Sequence, residues 1–528
     1  MNINVFFSCK KELYALILQY IDNDEEKNDE YFFNEIKNYL EKNEIRENKK
    51  ELNMLLDVVA KIANNHHRNR NFFYKLEQII EYLGMKIKQT FSNDEIFEIF
   101  KKNKRILYFL FQKEILYIDR NISKRIDPNY FQLENQLLLP TNRRLKSNIS
   151  EEYTSKRKLG ENDTYLCQLI RTDSVREFIS YLNQTNLSIN RQIDDSYFET
   201  NCLLLKKRPK LIEYAAFFGS IQIFQYLKIN EAELNDSLWI YAIHSKNPDI
   251  IHILEEILNM PNDLFLDVYK ETVKCHHNDI ADYLYNKYFT GRENVVFGFP
   301  FLYHNYELIP VDINNHNCFD FFKYLIKGQF FDLVDEILKS DLANHLFEGD
   351  HENPLFLLAE VNKADFIYTL LLKQKEIVSR TFSDCHNLTS IKIPSNITTI
   401  GSHAFFNCSS LVKVEICGSI QKIERFTFFG CSSLKEVSIP PSVTYIGESA
   451  FRQCSSLFQI EIPPSVTKIE KSAFYGCKKL IKVSIPSSVK SIGDFAFDEC
   501  NCLRFIFIPS ATTYDYLGLD SYTTITKT

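Results

Sequence analysis

The residues best placed to do chemistry in this sequence are cysteines, because six of them recur at intervals of 23 residues. A thiolate can form a disulfide, bind a soft metal ion or act as a nucleophile. A fixed period of this size predicts a solenoid, in which the six thiols lie on successive coils. A buried cysteine there behaves as a small apolar side chain, so we expect free thiols that fill the core. The six are Cys385, Cys408, Cys431, Cys454, Cys477 and Cys500.

Two further cysteines depart from this period. Cys417 occupies the position where other coils have proline, and Cys502 follows two residues after Cys500. We expect Cys417 and Cys502 to be the reactive thiols of the region.

One group of histidine and cysteine residues has the composition of a metal site. Three of its members, residues 275–277, are consecutive, so their side chains should point in different directions. Structural zinc sites use spaced ligand pairs instead. We therefore predict helix-end and turn residues and no metal site. The group is His244, His252, Cys275, His276 and His277. His66-His67, beside Arg68 and Arg70, is interpreted as solvated surface.

Catalytic sequence motifs are absent: the chain has no P-loop, Gly-x-Ser-x-Gly, His-Glu-x-x-His or dinucleotide fingerprint. We therefore expect no catalytic residues, no cofactor and a non-enzymatic role. The net charge of -7 also disfavours nucleic-acid or anionic-membrane binding, which needs a concentrated basic surface.

The first residues lack a basic segment, a sustained apolar core and a cleavage site, and so do not resemble a signal peptide. The longest apolar runs, such as 106–111, fall far short of the roughly 20 residues that span a bilayer. These features predict a cytoplasmic protein with no membrane-spanning segment, whose cysteines are reduced.

The elements that carry these residues change along the chain. Residues 1–140 are predicted to be helical, because apolar residues recur there at helical spacing. Ser92 and Glu95 form a predicted capping box. The polar stretch 141–163 is predicted to be a linker or an exposed loop. The apolar residues at helical spacing are Leu52, Leu55, Leu56, Val59 and Ile62.

Residues 164–375 contain a weaker, helix-turn-helix repeat. Segments that begin at Ser220, Asn247 and His277 each have isoleucine fourth and leucine eighth. The unit from Asn353, with its Pro354-Leu355 helix start, resembles the ankyrin repeat, although the spacings of 27 and 30 residues are shorter than the usual ~33. The resemblance implies a divergent ankyrin-like α-solenoid.

Residues 376–528 carry the 23-residue coils, illustrated by the coil that begins at Cys431. Leu434, Val437 and Ile439 follow a Leu-x-x-Val-x-Ile pattern, which predicts a strand whose alternate residues point inward. Pro440 should end that strand. Over residues 377–509 the pattern resembles the leucine-rich repeats of BspA-like surface antigens, and a degenerate coil follows it. The resemblance implies a β-rich solenoid, so the whole chain is predicted to be a multidomain repeat protein with an all-α N-terminal region.

The outward strand residues should form one continuous face. Lys392 with Glu415, and Lys413 with Glu436, could pair across adjacent strands. Two interpretations remain open: a solvated face whose charges compensate one another, or a protein-binding face with apolar anchors. The candidate residues are Lys392, Lys413, Glu415, Glu436, Phe458, Gln459, Glu461, Ile481, Lys482, Phe505 and Phe507.

These features together favour an intracellular adaptor that binds other proteins through its ankyrin-like and leucine-rich-repeat surfaces. The resemblance supplies an alternative, because BspA-like proteins are associated with cell surfaces and host attachment. In that case the chain would be a surface antigen or adhesin that binds host or matrix proteins.

Overall fold

The structure, a computed structural model, divides into two compact units, Met1–Asp312 and Ile313–Thr528. The first unit is helical, and the second has helices followed by a parallel β-solenoid, which confirms the predicted fold class. The helices between Cys318 and Leu371 belong to the same unit as the coils, whereas the sequence placed a boundary at 375–376. The structure describes residues 3–23, 25–66, 71–128, 130–131, 151–258, 260, 263–288, 296–309, 318–347 and 353–528.

The amino-terminal helices follow the apolar periodicity of the sequence. Leu52, Leu56 and Ile62 are buried along one helix face, as predicted. The predicted capping box is also present: the Ser92 hydroxyl accepts from the Glu95 amide, and the Glu95 carboxylate accepts from the Ser92 amide. The helices of this region are Ile3–Asp22, Glu26–Lys42, Lys49–Asn65, Phe72–Thr90, Asn93–Phe100, Lys104–Gln112 and Arg120–Ser123.

The polar stretch 141–163 differs from its prediction. Its first part, to residue 150, lies outside the described residues, but Glu151–Leu159 is a helix. Arg157 in that helix is only 1% exposed, and its guanidinium lies 3.8 Å from the centre of the Tyr108 ring. The Tyr130 hydroxyl donates to the Arg157 carbonyl. A cation that charge patterning assigns to solvent is therefore buried against aromatic rings, which a planar guanidinium favours.

Helix pairs follow in both units, and the first helices of successive pairs pack against one another in the first unit. Ala215, Ala216 and Ala242 are fully buried at these contacts and allow close approach. The pairs are Tyr165–Arg171 with Val175–Thr185, Leu211–Phe218 with Ile221–Ile229, Leu238–Ser245 with Pro248–Ile257, Phe265–Lys274 with Asn278–Tyr288, Cys318–Lys327 with Phe331–Lys339, and Pro354–Glu360 with Ala364–Leu371. Short helices at Cys202–Lys206 and Phe299–Tyr303, and 3₁₀ turns at Tyr306–Leu308 and Asp341–Phe347, complete the helical elements of the described residues.

A left-handed residue lies in the turn of each pair, with φ between +50° and +74°. This conformation ends the first helix and reverses the chain within a few residues. Only Gly219 is a glycine, so the turn has no fixed residue type that a sequence pattern could show. The turn residues are Asp173, Gly219, Lys246, His276, Gln329 and Asn362.

The coils form two rows of parallel strands, here called the first and second sheets, and each row is hydrogen-bonded in two segments. The sequence predicted only the first sheet. Its strands are Ser390–Ile393, Lys413–Ile416, Glu436–Ser438, Lys482–Ser484, Phe505–Ile508 and Thr524–Lys527. The second sheet is made of two-residue strands, too short to show a period. They are Glu376–Ile377, Thr399–Ile400, Lys422–Ile423, Tyr445–Ile446, Lys468–Ile469, Ser491–Ile492 and Thr513–Tyr514.

Two ladders of buried side chains fill the coils. The cysteines of the 23-residue period are free and buried, as predicted. Each thiol from Cys408 onward donates to the carbonyl of a phenylalanine 26 residues earlier, for example Cys454 to Phe428 at 3.2 Å. The phenylalanine rings stack with centroids 5.1–5.4 Å apart. The stacked rings are Phe382, Phe405, Phe428, Phe451, Phe474 and Phe497.

The helix Ala364–Leu371 covers the first coil. Asn396 donates to the Leu371 carbonyl at 2.8 Å, and Asn362 accepts from the Thr389 amide at 3.1 Å. A solenoid needs such a cap, because its terminal coil would otherwise expose apolar side chains.

Candidate protein-binding face

The face is formed by the outward side chains of the first sheet and by the residues that immediately precede its strands. Parallel pairing without slippage, such as Ile391 opposite Val414 and Ile506 opposite Val483, keeps all inward positions on one side. The structure therefore places all eleven predicted residues on this exposed side of the coils. Glu415 and Phe507 are half-buried, and the other nine are exposed.

Charged residues of the first coils pair as the sequence suggested. Lys392 Nζ lies 3.0 Å from Glu415 Oε1, and Lys413 Nζ lies 3.5 Å from Glu436 Oε2. The hydrogen bond from Lys392 lowers the pKa of Glu415, and Glu415 raises the pKa of Lys392. These charges compensate one another and leave little net field for a partner.

The later coils carry exposed apolar side chains instead. Ile481 is 52% exposed, Phe505 is 50% exposed and Phe458 is 38% exposed. Lys482 Nζ lies 5.1 Å from the centre of the Phe507 ring. Exposed aromatic and aliphatic side chains on one face are typical of the anchors of protein interfaces.

The first sheet is interrupted at one place that the sequence did not predict. Glu436–Ser438 has no ladder to the following coil, which joins the sheet only through the bridge Gln459–Lys482. A groove of about 490 Å³ opens there. The sequence does carry a signal for this interruption, namely the pair of adjacent prolines in each of the two bordering coils, because proline cannot donate a ladder hydrogen bond. The groove is lined by Ile439, Pro441, Ile460, Glu461, Ile462, Pro463, Pro464, Ser484 and Pro486.

Cys417 and Cys502 are the exposed cysteines among the described residues. Cys417 Sγ lies 3.4 Å from Glu415 Oε1, and partial burial together with this carboxylate raises the pKa of Cys417. A raised pKa lowers the thiolate fraction, so Cys502 is the better candidate for a reactive thiol.

The three consecutive residues of the histidine–cysteine group point in different directions, as predicted. His276 Nδ1 lies 2.6 Å from the Tyr14 hydroxyl oxygen, while His277 Nδ1 lies 2.7 Å from the Ile243 carbonyl oxygen. His252 is largely exposed beside Glu255.

Two members of that group, His244 and Cys275, do meet Glu271, which the sequence analysis missed. Glu271 precedes Cys275 by four residues and shares its helix face. Burial alone would raise the pKa of Glu271, but His244 at 2.8 Å and Lys274 at 2.7 Å lower it to about 2. Cys275 Sγ is almost equidistant from both ring nitrogens of His244, at 3.5 and 3.6 Å, and so does not face one lone pair. The trio, which is the group of possible metal ligands among the described residues, fits an internal ion pair better than a cation site.

His66 corrects another prediction, because it is not solvated surface. It is only 2% exposed, with Nε2 2.7 Å from Asp22 and Nδ1 2.8 Å from the Cys275 carbonyl. Residues 67–70 lie outside the described residues. Contacts with residues far along the chain, which local composition does not show, bury this histidine.

The two-sheet coils and their outward face define a leucine-rich-repeat solenoid. A family model described as BspA type leucine rich repeat region matches residues 375–504 in six copies, about a quarter of the chain. These residues therefore carry BspA-type repeats.

Solved leucine-rich-repeat structures each match about a quarter of the chain. A T. pallidum protein is 32% identical over 25% of this chain and 61% of its own, with a TM-score of 0.24. A Bacteroides ovatus protein is 32% identical over 29% of this chain and 42% of its own, with a TM-score of 0.25. A leucine rich cell surface protein from Faecalibacterium prausnitzii is 35% identical over 25% and 42%, with a TM-score of 0.22. The match spans less than two thirds of each. No curated protein matched the chain.

In the part of the chain that the structure describes, no helix has both the length and the apolar character needed to cross a bilayer.

Proposed function

We propose that this chain is a non-enzymatic scaffold that binds other proteins through the outward face of its leucine-rich-repeat strands. The observation that supports this role is the exposure of Phe458, Ile481 and Phe505 together on the outward face of the later coils. Inward residues repeat from coil to coil because they share one core, whereas the outward residues differ from coil to coil and can discriminate between partners.

We further propose that the helix pairs are divergent ankyrin-like units and supply a second surface. Their support is the left-handed turn in each pair, together with the buried alanines Ala215, Ala216 and Ala242 between successive pairs. Nucleic acid is not an expected partner of either surface, given the acidic net charge.

Site-specific photo-cross-linking would test the face. Benzoylphenylalanine would replace Phe505 in the full chain, and the matched control would replace Phe495, which is 38% exposed but lies in the turn after strand Ser491–Ile492. In the cells that produce the protein, we expect discrete protein adducts from position 505 and none from position 495. Equal adducts from both positions, or none from either, would contradict the proposal.

The alternative proposal is a BspA-like surface antigen or adhesin that binds host or matrix proteins. It is supported by the family of the repeats at residues 375–504. Surface biotinylation of intact cells separates the two roles. Labelling only after lysis would support a cytoplasmic adaptor, and labelling of intact cells would support the adhesin.

A further inference from the structure

Four exposed cations lie in or shortly before the strands Lys482–Ser484 and Phe505–Ile508 of the later coils, near the exposed apolar side chains. Among the described residues, none of these four lies within 4 Å of a carboxylate, whereas Lys468 in the same coils pairs with Glu470. Lys482 instead lies over the Phe507 ring, and the Arg504 guanidinium lies 4.5 Å from the centre of the Tyr522 ring. This differs from the first coils, where Lys392 and Lys413 each have a carboxylate partner. The four cations are Lys478, Lys479, Lys482 and Arg504.

The backbone register places the apolar residues beside these cations. The Ile481 amide donates to the Phe458 carbonyl at 3.2 Å, and the Arg504 amide donates to the Ile481 carbonyl at 2.9 Å. Phe458, Ile481 and Arg504 therefore occupy equivalent positions on three successive coils. Lys482 lies opposite Phe505 in the parallel ladder. Since neighbouring strands are about 4.8 Å apart, the apolar residues form one patch with cations around it.

Resting on the proposed function, we propose that this half of the face binds an acidic protein segment that also carries aromatic or aliphatic side chains. Its apolar side chains cover Ile481 and Phe505, and its carboxylates pair with Lys478, Lys479, Lys482 and Arg504. A neutral or basic segment would bury these cations without carboxylate partners. The binding free energy lost in this way would discriminate against such a segment. The self-compensated charges of the first coils offer no such preference.

The test uses the full-length protein and a phage-displayed library of random 12-residue peptides. Selected peptides would be synthesised with a fluorophore and titrated by anisotropy at low and high salt. We expect acidic peptides with aromatic or aliphatic residues, whose affinity falls as salt rises. Phe505→Ala should weaken binding at least about tenfold, as for an interface anchor. Lys482→Gln should weaken it about two- to fivefold, as for an exposed charge pair.

The matched control is the double variant Lys468→Gln with Glu470→Gln, which removes one compensated pair from the second sheet of the same coils. It should leave the affinity unchanged. Hydrogen exchange across residues 482–508 would establish that each variant retains its coils.

Selected peptides that are neutral or basic, or acidic peptides that bind the Phe505 and Lys482 variants as tightly as the parent, would overturn the inference. An anionic vesicle or a short DNA that displaces the peptides with higher affinity would also overturn it, because the cations would then recognise phosphate. Cross-linking at position 505 reports the proposed function separately. If position 505 forms protein adducts in cells but the selected peptides are neutral, the scaffold role stands and the acidic partner is refuted.

Discussion

The phenylalanine ladder provides the most direct test of how the solenoid is stabilised. Phe451 is fully buried, and its ring stacks on Phe428 at 5.3 Å and on Phe474 at 5.4 Å. Phe451→Ala removes both ring contacts and leaves a cavity inside the stack. Phenylalanine-to-alanine changes in cores cost about 3–5 kcal/mol of unfolding free energy. Phe505→Ala is the matched control, since half of that side chain already faces solvent, and a surface change of this kind costs about 0.5 kcal/mol or less.

Because each coil contacts only its neighbours, the loss should be greatest near the substituted coil and should spread along the stack. An equilibrium constant changes about tenfold per 1.4 kcal/mol, so amide protection within 428–474 should fall by about a hundred- to several-thousand-fold. Hydrogen exchange with mass spectrometry would measure this change by region.

The fluorescence of the single tryptophan, Trp239, supplies an internal reference. Trp239 lies in the first unit, so its denaturation curve reports that unit and not the coils. We expect Phe451→Ala to leave the curve unchanged. Equal losses of coil protection in Phe451→Ala and Phe505→Ala would refute the role assigned to the ladder. A change confined to the Trp239 signal would refute it as well.

Three further predictions concern other parts of the chain. Iodoacetamide should label Cys502 faster than Cys417 in the folded protein, and should label the buried thiols of the 23-residue period only on unfolding. Mass spectrometry of timed reactions would measure the rates, and early labelling of the buried thiols would contradict the prediction. Burial and neighbouring cations lower the pKa of His276 well below 6.5, so the unfolded chain binds a proton more readily and the stability of the first unit should fall as pH drops below about 6.5. His276→Asn, which suits the left-handed backbone there, should flatten this dependence in urea titrations followed by tryptophan fluorescence, whereas parallel pH curves would exclude His276 as its source. Arg157→Met should lower the unfolding free energy of the first unit by about 2 kcal/mol, because the cation–π contacts are lost. The control Lys158→Met, at an exposed position, should leave the unfolding free energy unchanged. Equal effects of the two variants would contradict a stabilising role for the buried guanidinium.

The repeat coils were predictable because each inward position recurs after 23 residues, and a shared core imposes the same apolar residue on every coil. The same alternation located the outward face, and the Lys392–Glu415 and Lys413–Glu436 pairs followed from it. The helix pairs were predictable as helices, since their apolar spacing is local. The function of the face is not contained in this pattern, because the residues that would recognise a partner are the ones that do not repeat.

The solenoid, its first sheet and its free buried cysteines could be predicted from the amino-acid pattern alone, since they depend on periodicity within a coil. The burial of Arg157 and His66 is visible only in the folded chain, because their partners Tyr108 and Asp22 lie more than 40 residues away. The same holds for the contact between Glu271 and His244 and for the interruption that divides the first sheet. Contacts between distant residues set burial and hydrogen bonding, and a linear pattern shows them only where the chain repeats itself.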